Sequence, residues 1–333
     1  KIVAKLQQSI DKAWQRNDAD HVGALVKKAD TLAPSADAPS QARWRTARAQ
    51  LAATVGTALA DAAHARDTVR IAALRPLAEA LPATYPAGFD IKDLDRPPPP
   101  ALHAGSPLRD GGGPALVYVP AEGNNAAFAI GRTDVTRAEY AEFARDTHRA
   151  PAHCVEPLNP FSGLRGLKWS DPGFAQGGDH PVVCVSWNDA AAYVAWLSRK
   201  TGQSYRLPDD NEWLRAAHGG GGGNPCVRGD VDDHSRKSTF DNDAWPCSDG
   251  AAQTAPVGRY VASGVGAYDM YGNVSAWLAG GAARDRIFRG LSWRDGSHET
   301  AMGRRGTANS DTGYTNVGFR VVRVIDPAHP PQQ

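Results

Sequence analysis

Cysteine is scarce in this chain and unevenly placed: four occur in 333 residues, and none precedes position 154. None has the C-x-x-C spacing of a zinc or thioredoxin-type site. A net charge is missing too, since 37 Lys and Arg stand against 36 Asp and Glu. No broad cationic face is therefore implied, which removes nucleic acid and anionic lipid from the expected partners. No apolar run approaches the roughly 18 residues of a membrane span, and no signal-peptide core precedes a small-residue cleavage site. The chain contains no GxSxG, HExxH, P-loop or dinucleotide fingerprint. HGGGGG, His218 to Gly223, has the composition of an esterase oxyanion loop but follows a helical segment, so a flexible excursion is expected there. The chain opens on Lys1 and runs directly into an amphipathic pattern, the form of a segment cut from a longer protein or of a processed secreted one.

What is present divides by texture. Residues 1–95 are rich in Ala, Arg, Gln and Leu, and read as helices. Ile2, Leu6, Ile10 and Trp14 recur at the spacing of one helical face, and Leu25, Val26 and Ala29 continue it. Pro34 and Pro39 are expected to break the run. A third stretch starts at Ser40, a candidate N-cap, and carries Trp44, Leu51, Val55 and Leu59 toward Leu74 before Pro76, as one long helix or two. Such a segment serves as a stalk or spacer, or else as a small interaction domain. His21 and His64 are its only histidines. Residues 96–114 form a linker, with four consecutive prolines in an extended polyproline II stretch followed by flexible glycines. A second domain spans 115–326, and 327–333 is expected to be a disordered tail.

In the second domain, Leu116 to Pro120 and Phe128 to Thr136 read as strands. Thr136 with Glu139 makes a capping box for a helix whose apolar face is Tyr140, Phe143 and Ala144. Pro181 onward reads as a strand followed by a helix, capped by Ser186 or Asn188, with Tyr193, Trp196 and Leu197 inward and Gly202 as the stop. A further short helix starts at Asp209 or Asp210, with Trp213 in the core and Glu212 paired to an arginine. Four cysteines allow three pairings. Cys154 with Cys184 and Cys226 with Cys247 are favoured, because each pair brackets one irregular Gly/Pro-rich excursion. Each closure stabilises by about 3–4 kcal/mol in a chain-entropy account. Disulfides persist in oxidising compartments, so the periplasm or cell exterior is expected, with four reduced thiols in the cytosol as the alternative.

Three segments, in this order, carry a resemblance: RLPDDNEWLRAA at Arg206 to Ala217, GAYDMYGNVSAW at Gly266 to Trp277, and GFRVVR at Gly318 to Arg323. They resemble the signature of the formylglycine-generating-enzyme/sulfatase-modifying-factor family. The resemblance implies an α+β, C-type-lectin-like fold with little regular secondary structure, here preceded by an all-α segment. In that family a catalytic cysteine pair binds copper after a Gly-Gly-Ser-aromatic turn. The turn here is RGLSW, Arg289 to Trp293, and the two cysteine positions fall on Asp295 and Thr300. Cu(I) requires soft sulfur ligands, and a carboxylate with a hydroxyl offers hard oxygens, so no copper is expected. Some iron-dependent relatives carry a three-histidine site in an added helical domain; residues 1–95 hold only two histidines.

The resemblance implies calcium in FDNDAWPCSDGAA, with ligands at Asn242, Asp243, Asp249 and Ala251. Oxygen-only ligation of that kind suits Ca²⁺. A second family site uses a glutamate of the GNVWEW-type motif, which Ala276 replaces here, leaving Asp269 and the carbonyls of Gly272 and Val274. Asn273 is expected to order its own turn. Where the family's groove holds an extended peptide, this chain presents Trp293, Arg294, Asp295, His298, Glu299, Arg304, Arg305, Asn309 and Tyr314, large amphipathic or charged side chains of the kind that anchor interfaces. The expected ligand is a peptide, a polar small molecule or a protein.

The expectation is a non-catalytic extracytoplasmic sensor domain of a membrane-anchored bacterial signalling protein, such as a serine/threonine kinase, with the anchor upstream of Lys1. No kinase Gly-rich loop, HRD or DFG motif lies in the chain itself. The alternative is a metal-dependent oxidase or tailoring enzyme on the same scaffold.

Overall fold

The structure is a computed structural model that describes residues 2–65, 67–81, 83–87, 89–95, 102–157, 159, 161–219, 223–236, 243–298 and 304–326. The 327–333 tail and all four consecutive prolines, Pro97 to Pro100, lie outside that set. The chain divides into two compact units, Lys1–Pro99 and Pro100–Gln333.

Among the described residues the first unit has four α-helices, α1 (Ile2–Gln15), α2 (Ala19–Leu32), α3 (Ala38–His64) and α4 (Thr68–Ala80). The expected stripe is its core: Leu6 and Ile10 of α1 pack with Val22, Val26 and Ala29 of α2, and with Trp44, Val55 and Leu59 of α3. The side chain of Ile2 lies outside the described set. Trp44 donates its indole N–H to Asp30 Oδ1 at 2.9 Å, satisfying the one polar atom its burial removes from water. The helical run breaks after Leu32, where Pro34 stands in a short 3₁₀ turn, but Pro39 and Pro76 act differently from expectation. Pro39 stands in the first turn of α3, where its missing N–H costs nothing, and the cap is Asp37 accepting from the Ser40 N–H at 2.8 Å, so Ser40 is not the N-cap. Asp67 caps α4, and Pro76 lies inside that helix instead of ending it. None of the described helices is long and apolar enough to cross a membrane.

The second unit runs β1 (Pro107–Leu108), β2 (Leu116–Val119), β3 (Phe128–Gly131), α5 (Arg137–Thr147), β4 (His153–Val155), α6 (Trp187–Thr201), β5 (Tyr205–Arg206), α7 (Asp210–Ala217), α8 (Pro225–Arg228), β6 (Ser275–Gly281), β7 (Asp285–Arg289), β8 (Arg305–Asn309), β9 (Thr312–Tyr314), β10 (Val317–Phe319) and β11 (Val322–Val324). One sheet has the order β1-β2-β3-β11-β5, a second β10-β6-β7-β8, and a third pairs β4 with β9. The last strand thus enters the middle of the first sheet, between β3 and β5. Capping boxes start α5 (Thr136 with Glu139), α6 (Ser186 with Asp189) and α7 (Asp209 with Glu212). Gly202 closes α6 in the left-handed conformation at φ 69°. The expected strand at Pro181 does not form: Val182, Val183, Cys184 and Val185 are all fully buried, yet only Pro181 makes a bridge. Burial on every side, not pairing, explains their apolar run.

The three signature segments turn out to be scaffold. Arg206 makes a two-pronged ion pair with Glu212 at 2.6 and 2.7 Å. Trp277 is fully buried and donates to the Val185 carbonyl at 3.0 Å. Arg320 meets Asp134 at 2.9 Å and also bonds the carbonyls of Gly131 and Tyr268. Asn273 does not order its own turn; its side-chain amide pairs with both the N–H and the C=O of Ala255, at 3.1 and 3.0 Å.

Candidate functional site

The RGLSW turn begins at Gly290, where φ is +92° and an added Cβ would lie 2.9 Å from the Trp213 ring. Only glycine fits there, so this turn is packed directly on the α7 segment. Ser292 then offers both its N–H and its hydroxyl to Asp295 Oδ2, at 2.7 and 2.6 Å. The other oxygen, Asp295 Oδ1, faces Arg304 Nε at 3.2 Å. Asp295 is therefore a buried turn-closing carboxylate with both oxygens engaged. Thr300 and Glu299 lie outside the described residues. Soft ligation is unavailable elsewhere as well, because both favoured disulfides form, Cys154–Cys184 and Cys226–Cys247, and no cysteine remains free.

Next to this turn, Trp293 is buried and donates its indole N–H to the Thr315 carbonyl at 3.2 Å. Phe174 meets it edge-on at 5.6 Å, and the guanidinium groups of Arg236 and Arg294 each stand 5.2 Å from its ring. Arg294 reaches across to Glu156 Oε1 at 2.7 Å and to the Pro157 carbonyl at 3.1 Å. Partial burial pushes the Glu156 carboxyl up, but the Asn159 amide and the Arg294 guanidinium outweigh it and hold it below its ordinary range.

Glu156 and Pro157 in turn line an open cleft of about 650 Å³, together with His153, Val155, Asn159, Ser162 and Gly163. The cleft wall is fastened from behind by the Cys154–Cys184 bond and by the parallel pairing of β4 with β9. At its edge Phe161 and Leu164 are 72% and 87% exposed. They lie three residues apart on a 3₁₀ turn, where such positions share one side. Two large apolar side chains facing water beside a polar cleft form a surface suited to a partner.

The residues expected to form one groove separate into three places. Trp293, Arg294, Asp295 and Arg304 gather around Ser292 beside the cleft. On β8 the side chains alternate, with Gly306 and Ala308 opposite Phe288 and Arg286 of β7, so Arg305 and Asn309 belong to the other face. Arg305 is directed to Asp210 at 3.6 Å, a carboxylate that Arg289 already holds at 2.8 and 2.9 Å. Asn309 accepts from the Asp311 N–H, and its own N–H donates to the Tyr314 hydroxyl; the Tyr314 ring lies tilted against Trp277, 6.1 Å away. His298 is exposed and touches Asp243 Oδ1 at 2.9 Å. Sequence reasoning missed Glu156, Phe174, Phe161 and Leu164. The signal for the last two was an apolar pair inside a Gly/Pro-rich excursion.

Two of the implied calcium ligands, Asp243 and Asp249, already have hydrogen-bond partners within the protein. Asn242 lies outside the described residues. The Asp243 carbonyl accepts the Ser297 N–H at 2.7 Å. Asp249 uses Oδ1 for the Ala251 N–H at 2.7 Å and Oδ2 for the Tyr260 hydroxyl at 3.1 Å. Among the described residues no three His, Cys, Asp or Glu side chains converge as a metal cage. Nearby, Oδ1 of Asp269 is buried without a hydrogen-bond partner. Burial pushes the Asp230 carboxyl well up, with Asp249, Asp233 and Asp269 adding to it, and burial likewise raises Asp269.

Residues 115–325 match the family described as the sulfatase-modifying factor enzyme 1-like domain. The chain belongs to this family. The inactive C-alpha-formylglycine-generating enzyme 2 of Mus musculus is 34% identical over 179 residues, covering 50% of this chain and 53% of that protein. The formylglycine-generating enzyme of Streptomyces coelicolor is 28% identical over 262 residues, 60% of this chain and 79% of the enzyme. The serine/threonine-protein kinase Pkn1 of Chlamydia trachomatis is 29% identical over 175 residues, 46% of this chain and 25% of the kinase. The chain spans about half the length of the inactive enzymes it matches. Among solved structures, PvdO from Pseudomonas aeruginosa shares the fold, with a TM-score of 0.52 at 24% identity over 68% of this chain and 100% of that one. Within this sulfatase-modifying-factor domain, then, Asp295, just after the RGLSW turn, is a carboxylate already bound to Ser292 and Arg304.

Proposed function

We propose that this chain is a non-catalytic recognition domain that works outside the cytoplasm, as the head of a membrane-anchored signalling protein of the serine/threonine-kinase type. The observation that carries the reading is chemical. Every cysteine is held in a disulfide and Asp295 is fully engaged, so the described residues offer no sulfur pair to bind copper or to activate oxygen. Two disulfides favour an oxidising compartment, the periplasm or cell exterior. The names of two relatives point the same way, one an inactive enzyme and one a kinase that this chain matches over a quarter of its length.

The ligand belongs at the cleft between His153 and Gly163, whose polar wall is fixed by the Arg294–Glu156 pair and whose lip is Phe161 with Leu164. An extended peptide segment meets both surfaces: its backbone finds the polar wall, and an apolar side chain covers the lip. Binding there would signal by shifting the population of one arrangement of the whole protein over another.

The test is a peptide-library binding assay on the purified chain, repeated with the double variant Phe161→Ser/Leu164→Ser. Both side chains face water, so the variant folds. Loss of binding by at least about tenfold is expected, since covering one large apolar side chain contributes about 1.5–3 kcal/mol. Formation of an aldehyde from a cysteine-containing peptide by copper-treated protein would sink the proposal. So would binding that survives the double variant unchanged.

A further inference from the structure

In the first unit, the turn between α1 and α2 and the start of α4 lie around a cavity of about 500 Å³, a volume typical of small-molecule sites. Its floor is apolar, made by the buried side chains of Ala19 and Leu74. Trp14 forms one wall. Its indole is half-buried against the helical core, and the N–H has no acceptor among the described residues, whereas the unit's other tryptophan, Trp44, gives its N–H to Asp30. Val69 also lines the cavity and is 80% exposed, an apolar side chain left in water. Two opposite charges complete the lining. Asp67 caps α4 by accepting the Arg70 N–H on Oδ1 at 2.9 Å, which fixes both residues on one turn. Among the described residues neither the Asp67 carboxylate nor the Arg70 guanidinium has an ion-pair partner, and they do not pair with each other.

An exposed arginine or aspartate alone is ordinary surface. Here both stand over an apolar floor, beside an indole, in one cavity. We infer that this cavity binds a free α-amino acid with an aromatic side chain. A simple anion would be matched by Arg70 and repelled by Asp67, and a simple cation would meet the reverse. A zwitterion satisfies both: Arg70 offers paired N–H donors to its carboxylate, and Asp67 accepts its ammonium group. An apolar body is required as well, because only that displaces water from the Trp14 ring, Val69 and Leu74, and an aromatic ring gains from packing on the indole. A bound molecule of this kind ties the α1–α2 turn to α4. The site lies wholly within the helical unit, outside residues 115–325 that match the family, and it does not depend on what the cleft beside Phe161 binds.

The experiment is isothermal titration calorimetry of the full chain with L-phenylalanine, with N-acetyl-L-phenylalanine and L-phenylalaninamide in parallel. Saturable binding of phenylalanine is expected, weakened about tenfold or more in each blocked compound, since each loses one charge-assisted contact. Arg70→Gln is expected to weaken phenylalanine to a similar degree. Ala73→Phe fills the cavity from an exposed position on α4 and is expected to abolish binding. The cleft variant Phe161→Ser/Leu164→Ser is expected to bind phenylalanine as the parent does. The inference is overturned if phenylalanine at about 10 mM, ample for a millimolar Kd, gives no saturable heat. It is equally overturned if the blocked compounds bind as tightly as the free amino acid, if binding survives Ala73→Phe, or if the cleft variant loses it while Arg70→Gln keeps it. Circular dichroism checks each fold; should Ala73→Phe not fold, Arg70→Gln and the blocked compounds decide between the same outcomes.

Discussion

Replacing Arg320 by methionine isolates what the GFRVVR signature does. The arginine and Asp134 are each about 1% exposed and meet at 2.9 Å. Two more of its N–H bonds reach the Gly131 carbonyl at 3.2 Å and the Tyr268 carbonyl at 3.0 Å, tying β3 and the GAYDMYG segment to the strand that enters the first sheet. Methionine keeps most of the volume and removes the charge. What remains is a carboxylate deep in the fold, one of whose oxygens already lacks a partner, together with two carbonyls that lose a donor. Breaking a buried pair from one side costs about 3–5 kcal/mol, most of it the stranded charge. At about 2–4 °C per kcal/mol for a domain of this size, Tm should fall by about 10 °C or more. Urea denaturation at neutral pH measures the loss directly. The double variant Asp134→Asn/Arg320→Met should recover about 1–3 kcal/mol of it, since the stranded charge is gone. A single variant within about 1 kcal/mol of the parent, or a double variant that is merely additive, would refute the view that this arginine is a structural staple.

Two further outcomes follow from the same geometry. The disulfides close loops of 30 and 21 residues, so a chain-entropy account assigns each about 3–4 kcal/mol. Mutating either pair to serine should lower Tm by roughly 10 °C, and calorimetry without reductant checks it. Glu156 is held below its ordinary pKa of 4.5. Because the folded value lies beneath the unfolded one, its contribution is present above about pH 4.5 and lost as pH falls through the folded value. Glu156→Gln should therefore flatten the acid side of the stability profile between about pH 5 and pH 3, and an unchanged slope would count against the Arg294 clamp.

Much of the framework was legible because its rules act over three or four residues. Thr136 with Glu139, Ser186 with Asp189 and Asp209 with Glu212 each announce a helix start, since a short acceptor reaches the N–H three residues on. Gly202 announces a stop, and the apolar spacing around Leu6, Val26 and Leu59 announces a core. The same local logic misjudged Pro39 and Pro76, because a proline's effect depends on which turn of the helix it occupies. It misjudged Val182 to Val185 as well, since an apolar run states that a segment is buried without stating that it is paired.

The site followed the opposite rule. Glu156 and Arg294 are 138 positions apart, and nothing in either neighbourhood names the other. Arg305 and Asn309 looked like groove residues until strand register turned them to the Asp210 side. Composition and motif spacing alone determined the family, the two-part organisation, the helix caps and the missing sulfur pair, since these are properties of residue type and short separation. Tertiary structure decided which carboxylates are satisfied and which are stranded, where a cleft opens and which apolar side chains stay in water. Those depend on which distant segments fold against one another, as Gly272 against Asp230 does by having no side chain to keep them apart.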